Sequence, residues 1–427
     1  MRVVLVRHGQ STWNAQGLVQ GRTDRSVLSE AGVAQARATA AVLETVAFGA
    51  AFCSPLQRAR QTVDLLLAGR SPVVVEYCES LMEIDLPGWE GLNHAQLAER
   101  FPEEHALWRR APEKLDLGGF VPLAALWEQA RDFWRMLLAR PATATVLVVA
   151  HNAINKALIS TALGLPPSAY ARLLQSNTGI SVLNFDAAGY AQLESLNLTA
   201  HTGAALPKYK QGTRLLLVRH GETEWNRMER FQGQIDVPLN DQGRAQAEQA
   251  ATFLKEMPIT RAFSSPLLRP KATAEAILRF HPEVALEFVP ALQEICHGQW
   301  EGKFRAEIDL LFPGELERWQ REPHSVQMPE GENLTQVWER ATDAWSGIVR
   351  GVDSGVVLVV AHDAINKAIV AAAVGAGPED FWRFKQGNGS VTVIDYPDGP
   401  EGRPQLSAVN ITSHLGGVFD CTAAGAL

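Results

Sequence analysis

Arg7 and His8 end a run of four aliphatic residues, Val3–Val4–Leu5–Val6, and Gly9 follows them. Arg58 comes just after Ser54–Pro55–Leu56, Glu83 opens a long polar stretch, and His151 follows Val146–Leu147–Val148–Val149–Ala150. These types together suit phosphoryl transfer. Guanidinium groups bind phosphate oxygens bidentately and stay charged at any working pH. A neutral imidazole is a nucleophile toward phosphorus and splits one displacement into two. A carboxylic acid beside a dianion protonates the departing alkoxide, and a second histidine, if cationic, adds charge where the equatorial oxygens gain it. HxxxH, HExxH and clustered Cys/His ligand spacings are absent from the sequence, so the reading expects neither a metal nor a cofactor.

The same set returns once. Leu215–Leu216–Leu217–Val218–Arg219–His220–Gly221 repeats the strand end, with His220 lying 212 residues after His8. Glu294 lies 211 residues after Glu83 and His362 lies 211 after His151. Tryptophan, a rare residue, holds this register five times: Trp13 with Trp225, Trp89 with Trp300, Trp108 with Trp319, Trp127 with Trp338 and Trp134 with Trp345. Even the tails echo, Leu196–Asn197–Leu198–Thr199–Ala200–His201 against Val409–Asn410–Ile411–Thr412–Ser413–His414. A period this long means tandem domains and not a solenoid. The expected division is domain 1 over residues 1–203, a linker over 204–212 and domain 2 over 213–427.

Elements that would position these residues follow from pattern. A buried strand ends at Arg7 and leads into a polar loop over residues 10–28. Ser29 N-caps an Ala-rich helix running to about residue 45. A strand at 51–53, a helix carrying Arg58, Arg60 and Thr62, and a second buried strand at 73–75 come next. Residues 83–122 are too long for a simple connection and read as a lid or cap. A helix (124–139), a strand (145–150), a helix (153–163) and strands at 180–185 and 190–196 complete the unit. Alternating strands and helices predict an α/β fold: a three-layer α/β/α sandwich with a mainly parallel sheet in each half. Strand ends then gather Arg7, His8, Arg58, Glu83 and His151 on one edge.

Totals narrow the classes of function. The chain's 427 residues fit two ordinary domains, and 46% hydrophobic with 20% charged residues is globular composition. A net charge of −8 and a pI near 5.8 argue against nucleic acid or an anionic membrane as main partner. Apolar runs are too short to span a bilayer, and the five-residue N-terminal run is no signal peptide. Cys53, Cys78, Cys296 and Cys421 show no CxxC spacing and do not recur between the halves. This favours reduced thiols and a cytoplasmic protein.

The run Arg7–His8–Gly9–Gln10–Ser11–Thr12–Trp13–Asn14, with Gln20–Gly21, Ser54–Pro55–Leu56–Gln57–Arg58–Ala59, Glu83 and Ala150–His151–Asn152, resembles the histidine phosphatase superfamily, of phosphoglycerate mutase-like fold. The likeness covers nearly the whole chain, twice. It implies that His8 and His220 are transiently phosphorylated and that Glu83 and Glu294 donate the proton. It implies phosphate binding by Arg7, Arg58 and His151 in one half and by Arg219, Arg269 and His362 in the other. Asn14, Gln20, Asn226 and Gln232 match positions that contact phosphate or substrate. Glu83 leads to Pro87–Gly88–Trp89–Glu90–Gly91 and Glu294 to Gly298–Gln299–Trp300–Glu301–Gly302, which looks like the small phosphatase branch and not the mutases. The tandem layout resembles cyanobacterial relatives of plant 2-carboxy-D-arabinitol-1-phosphatase, implying a sugar or sugar-acid phosphate as substrate. Phosphoserine phosphatase and phosphoglycerate mutase activities stand as alternatives, as does one catalytic half with a phosphometabolite-sensing partner half. The fused halves are read as a pseudo-dimer within one chain, with further self-association open.

The halves also differ. Met328–Pro329–Glu330–Gly331–Glu332–Asn333 is close to a lid element of the family, whereas Gly118–Gly119–Phe120–Val121–Pro122 lacks its glutamate. Arg269 is followed by Pro270, which an early helical position tolerates. Glu90 and Glu301 are nearby carboxylates that compete for the acid's role, and Trp89 and Trp300 read mainly as packing. His201 and His414, although repeated, read as packing or a turn.

Overall fold

The computed structural model describes residues 1–141, 144–209, 211–423 and 425. The chain divides into two compact units, Met1–Pro207 and Lys208–Leu427. That division falls inside the stretch 204–212, of which Lys210 lies outside the described residues.

In the first unit, β1 (Arg2–Arg7), β2 (Ala50–Cys53), β3 (Val75–Tyr77), β4 (Thr145–Ala150), β5 (Ile180–Phe185) and β6 (Ala191–Leu198) form a sheet in the order β3-β2-β4-β1-β5-β6. The pairs β3–β2, β2–β4 and β4–β1 are parallel, and β5 and β6 close the sheet antiparallel. Helices α1 (Thr12–Gln16), α2 (Glu30–Val42), α3 (Gln57–Leu67), α4 (His94–Arg100), α5 (Pro102–Arg110), α6 (Pro122–Leu138) and α7 (Asn152–Ala162) connect them. Steps from β1 to β2 to β3 run toward one edge, while β3 to β4 to β5 runs back. Right-handed crossovers between the parallel strands therefore put α2 and α3 on one face and α6 on the other. The observed packing of α2 on α3 agrees, and α7 packs on α6.

Central strands are aliphatic throughout because both faces are covered: Val3 to Val6 and Val146 to Ala150 are buried. On α6 the inward stripe is Leu123, Leu126, Trp127, Ala130, Phe133, Trp134 and Leu137. Trp127 and Trp134 satisfy their indole N–H groups on the carbonyls of Leu165 (3.1 Å) and Leu158 (3.0 Å). Ser29 caps α2 by accepting the Gly32 amide.

Local readings need three corrections. The strand expected at 73–75 is β3, Val75–Tyr77, and it is not buried; Val74 before it is 87% exposed. It is the outermost strand and, among the described residues, pairs only with β2, so its far edge has no strand beside it. The polar loop after Gly9 contains α1, a short helix whose Ser11 cap and Asn14 side chain form a capping box. The last strand starts one residue later than expected and continues to Leu198. Residues 83–122 fold as α4, α5 and a 3-10 turn, with Trp89 packed on Trp108 (6.0 Å between centroids) and Trp108 on Tyr170 (5.4 Å).

The second unit repeats this order. Strands β7 (Thr213–Arg219), β8 (Ile259–Ser264), β9 (Leu286–Phe288), β10 (Gly355–Ala361), β11 (Val391–Tyr396) and β12 (Gln405–Ile411) lie as β9-β8-β10-β7-β11-β12. Their helices are α8 (Glu224–Arg227), α9 (Asp241–Leu254), α10 (Leu268–Leu278), α11 (Arg305–Leu311), α12 (Glu315–Arg321), α13 (Leu334–Arg350) and α14 (Asp363–Val374). Among the described residues, no helix is long and apolar enough to cross a membrane.

Candidate active site

Register brings the histidines together. Arg7 pairs with Ala150 across β1 and β4, so His8 and His151 leave neighbouring parallel strands at the same level. Their ring centroids are 5.1 Å apart at 62°. Arg219 pairs with Ala361 in the second unit, and His220 and His362 are likewise 5.1 Å apart, at 69°. This is the carboxyl edge of a sheet whose strand order reverses there.

His8 Nδ1 lies 2.7 Å from the Gly9 carbonyl, and His220 Nδ1 is 2.7 Å from that of Gly221. Only a protonated ring nitrogen bonds a carbonyl, so each neutral ring keeps its proton on Nδ1 and a lone pair on Nε2. Arg269 Nε donates to His220 Nε2 at 3.3 Å, as that tautomer requires. Burial, reinforced by Arg58 and Arg7, holds His8 well below the usual imidazole range; burial with Arg269 and Arg219 does the same to His220.

The arginines are aimed by backbone carbonyls. Arg58 donates to Gly21 and Thr23 (both 2.9 Å), and Arg269 donates to Gly233 (2.7 Å) and Ile235 (3.1 Å). Arg269 thus points inward despite Pro270. Burial lowers both guanidinium groups to about 10, still cationic at neutral pH. Arg7 donates to the Gln175 carbonyl at 2.7 Å and Arg219 to that of Gln386 at 2.5 Å. The Nε atoms of Arg7, Arg58 and Arg219 are buried without a partner among the described residues. A buried donor left unpaired is costly, and an anion at this edge would satisfy it.

Ser54 Oγ sits 2.7 Å from His151 Nε2, and Ser265 Oγ sits 2.8 Å from His362 Nε2. Nδ1 of both rings is buried with no partner among the described residues. Glu83 and Glu294 reach the same place from the start of the excursion. Glu83 accepts the amides of Ile84 (3.0 Å), Ala153 (3.0 Å) and Ile154 (3.2 Å). Glu294 accepts those of Ile295 (3.0 Å), Asp363 (3.1 Å) and Ala364 (3.2 Å). Each carboxyl therefore sits on the N-terminus of the helix that follows the second histidine. Burial, with Asp363 adding to it, raises the Glu294 pKa.

The neighbouring carboxylates do something else. Glu90 accepts the Arg22 (2.6 Å) and Thr23 (3.2 Å) amides, and Glu301 accepts those of Gln234 (2.9 Å) and His297 (3.1 Å). They shape the loop whose carbonyls aim Arg58 and Arg269. Trp89 and Trp300 are buried in aromatic packing. Asn14 Oδ1 accepts Asn177 Nδ2 (3.2 Å), which also holds the His8 carbonyl (3.0 Å); Asn388 treats Asn226 and His220 in the same way. Gln20 Oε1 accepts the Ser11 hydroxyl at 2.8 Å, and Gln232 bonds Thr223 at 2.5 Å. Asn226, Gln232, Arg269, Glu294 and His220 line one cavity, together with His297 and Gly425, which spacing alone did not single out.

Spacing assigned no role to Ser54, Ser265, Asn177 or Asn388, although the loops that carry Asn177 and Asn388 had a signal. The repeated tail is what anchors them. Asn197 accepts the Ser176 amide (2.7 Å) and His201 bonds the Thr178 carbonyl (3.1 Å), as Asn410 does to Gly387 (2.6 Å) and His414 to Gly389 (3.0 Å).

The model of the histidine phosphatase superfamily (branch 1) matches residues 3–199 and again 215–412. The chain is 33% identical to 2-carboxy-D-arabinitol-1-phosphatase of Triticum aestivum over 97% of its own length and 86% of that protein's. It is 35% identical to phosphoserine phosphatase 1 of Hydrogenobacter thermophilus over 48% of this chain and 94% of the other. Among solved structures, Bacillus stearothermophilus YhfR is 30% identical with a TM-score of 0.45, covering 48% of this chain and all of that one.

Proposed function

Because the chain belongs to the histidine phosphatase superfamily, and is a phosphatase, in which both halves match, we propose that each half hydrolyses small phosphorylated metabolites through a phosphohistidine, without a metal. The observation that carries this is the lone pair on His8 Nε2 and His220 Nε2, set among buried guanidinium groups with unpaired N–H donors.

His8 Nε2 attacks phosphorus while Arg7 and Arg58 hold the equatorial oxygens. His151, with Nε2 accepting the Ser54 hydroxyl, offers Nδ1–H to the same group. Glu83 gives its proton to the departing alkoxide, so the P–O bond breaks to an alcohol. Water then attacks the phosphohistidine, Glu83 takes its proton back, and phosphate leaves with Nε2 restored. His220, Arg219, Arg269, His362 and Glu294 repeat these roles. Both units carry the same geometry, which supports two working centres over one centre with a sensor half. Likeness over nearly the whole chain to a 2-carboxy-D-arabinitol-1-phosphatase supports a sugar-acid phosphate as substrate, and 2-carboxy-D-arabinitol 1-phosphate is the first compound to test.

Phosphate release from an aryl phosphate and from a panel of sugar phosphates, measured with and without EDTA, tests the reading. Activity should survive the chelator and vanish in His8→Ala/His220→Ala. Full activity in that double variant overturns it.

A further inference from the structure

One buried carboxylate is present in the second centre and absent from the first. Asp363 is the first residue of α14, and its amide bonds Glu294 Oε2 at 3.1 Å. Its carboxylate pairs with Lys367 Nζ at 2.7 Å and lies 3.5 Å from Arg219, with every partner almost wholly buried. Helix α7 keeps the lysine, Lys156, but begins with Asn152. Among the described residues Lys156 makes no ion pair, and its ammonium stands 4.6 Å from the centre of the Tyr170 ring. Burial, with Arg7 nearby, pushes it down to about 8. The same two cations, an arginine from the first strand and a lysine one turn into the helix, thus share a further carboxylate beside the acid in the second unit and have the acid alone in the first.

We propose that the residue after the second histidine, Asn152 or Asp363, is a positioning residue that separates the pH ranges of the two centres, the second staying active to higher pH than the first. This deepens the phosphatase reading and rests on Glu83 and Glu294 being its acids. Around Glu294 stand Arg219 from β7, Arg269 from α10, Asp363 and Lys367 from α14, and Arg340 of α13 on its carbonyl. Around Glu83 stand Arg7, Arg58, Lys156 and Tyr170, with Arg22 on its carbonyl. A like charge beside Glu294, which also occupies both cations, disfavours its ionised form. The acid must be protonated to act, so a centre whose acid holds its proton longer loses activity later as pH rises.

The full chain with His220→Ala reports the first centre, and with His8→Ala the second. In kcat against pH for a sugar phosphate, whose alkoxide needs the proton, the basic limb of the second centre should lie about one pH unit above that of the first. Asp363→Asn should lower the second limb and Asn152→Asp should raise the first. Coincident limbs, or limbs unmoved by both exchanges, overturn the proposal. Carboxyl 13C titration of the unmodified chain, assigned with Glu83→Gln and Glu294→Gln, needs no turnover: Glu294 titrating at or below Glu83 overturns it too. Absence of phosphate release from every variant would instead overturn the phosphatase reading.

Discussion

Arg22 donates to Gln129 Oε1 at 2.8 Å, and between them these two side chains hold the backbone that presents Glu83. Arg22 Nε reaches the Glu83 carbonyl (3.3 Å), and Gln129 Nε2 reaches those of Met82 (2.7 Å) and Ser80 (3.1 Å). In the second unit the residue types are exchanged. Gln234 donates to the Glu294 carbonyl at 3.1 Å, while Arg340 donates to Ala291 (2.8 Å), Gln293 (2.6 Å) and Glu294 (3.0 Å). Arg340 on α13 also pairs with Glu332 at 2.6 Å, the glutamate of the lid element that the first unit lacks. Arginine and lid glutamate are present together or absent together, because a half-buried member of such a pair is costly alone.

Arg340→Gln should therefore slow the second centre and destabilise its unit by roughly 1–3 kcal/mol, the cost of stranding Glu332 and three carbonyls. Adding Gln234→Arg should restore part of both, as in the first unit. Thermal unfolding and kcat in the His8→Ala background measure this; simple additivity of the two changes would count against the exchange.

Ser54→Ala leaves His151 Nε2 without its 2.7 Å partner. The ring then loses its fixed tautomer, and kcat of the first centre should fall about tenfold, the worth of one hydrogen bond near 1.5 kcal/mol. Ser265→Ala should do the same to the second. Unchanged kcat in single-centre backgrounds would show that the serines do not orient the rings.

Gly9→Ala should damage the first centre without touching its chemistry. A Cβ there would lie 2.5 Å from the Gly32 carbonyl oxygen in α2, and backbone cannot swing aside as a side chain can. Moving the strand end displaces His8, so activity should drop sharply and stability fall by about 1–3 kcal/mol. Gly221→Ala meets the Gly243 carbonyl oxygen at 2.2 Å and should repeat the result. A wild-type denaturation midpoint would refute the close approach.

Acid should act on stability before it protonates the buried histidines of the folded chain. His8, His151, His220, His297 and His362 are held below the ordinary imidazole range, foremost by burial, His297 at about 3. The unfolded chain takes up protons near pH 6.5 that the folded chain refuses. Stability is then full above pH 6.5 and declines as pH falls below it, by about 1.4 kcal/mol per pH unit for each such histidine. Melting temperatures from pH 7.5 to 5 should fall steadily, while kcat shows no loss centred on 6.5. A flat melting profile would contradict this burial.

The placing of the candidate site residues was legible because it is written in residue type and spacing. Arg-His-Gly after four aliphatics, Arg58 and Arg269 at helix starts, and His151 and His362 after aliphatic runs place themselves once strands are known to be parallel. A parallel sheet has one carboxyl edge, and the 211-residue register states the pattern twice. What depends on atoms brought in from far along the chain was not legible. No spacing shows that Ser54 meets His151 across 97 positions, or that Glu83 sits on the amides of Ala153 and Ile154. Nor does it show that β3 is an uncovered edge, since burial depends on what lies beside a strand and not on its own residues. The identities of Asn152 and Asp363 were plain from the start, but their meaning was not. A charge has an energetic consequence only through its neighbours, and the fold alone put Arg219, Lys367 and Glu294 around that one carboxylate.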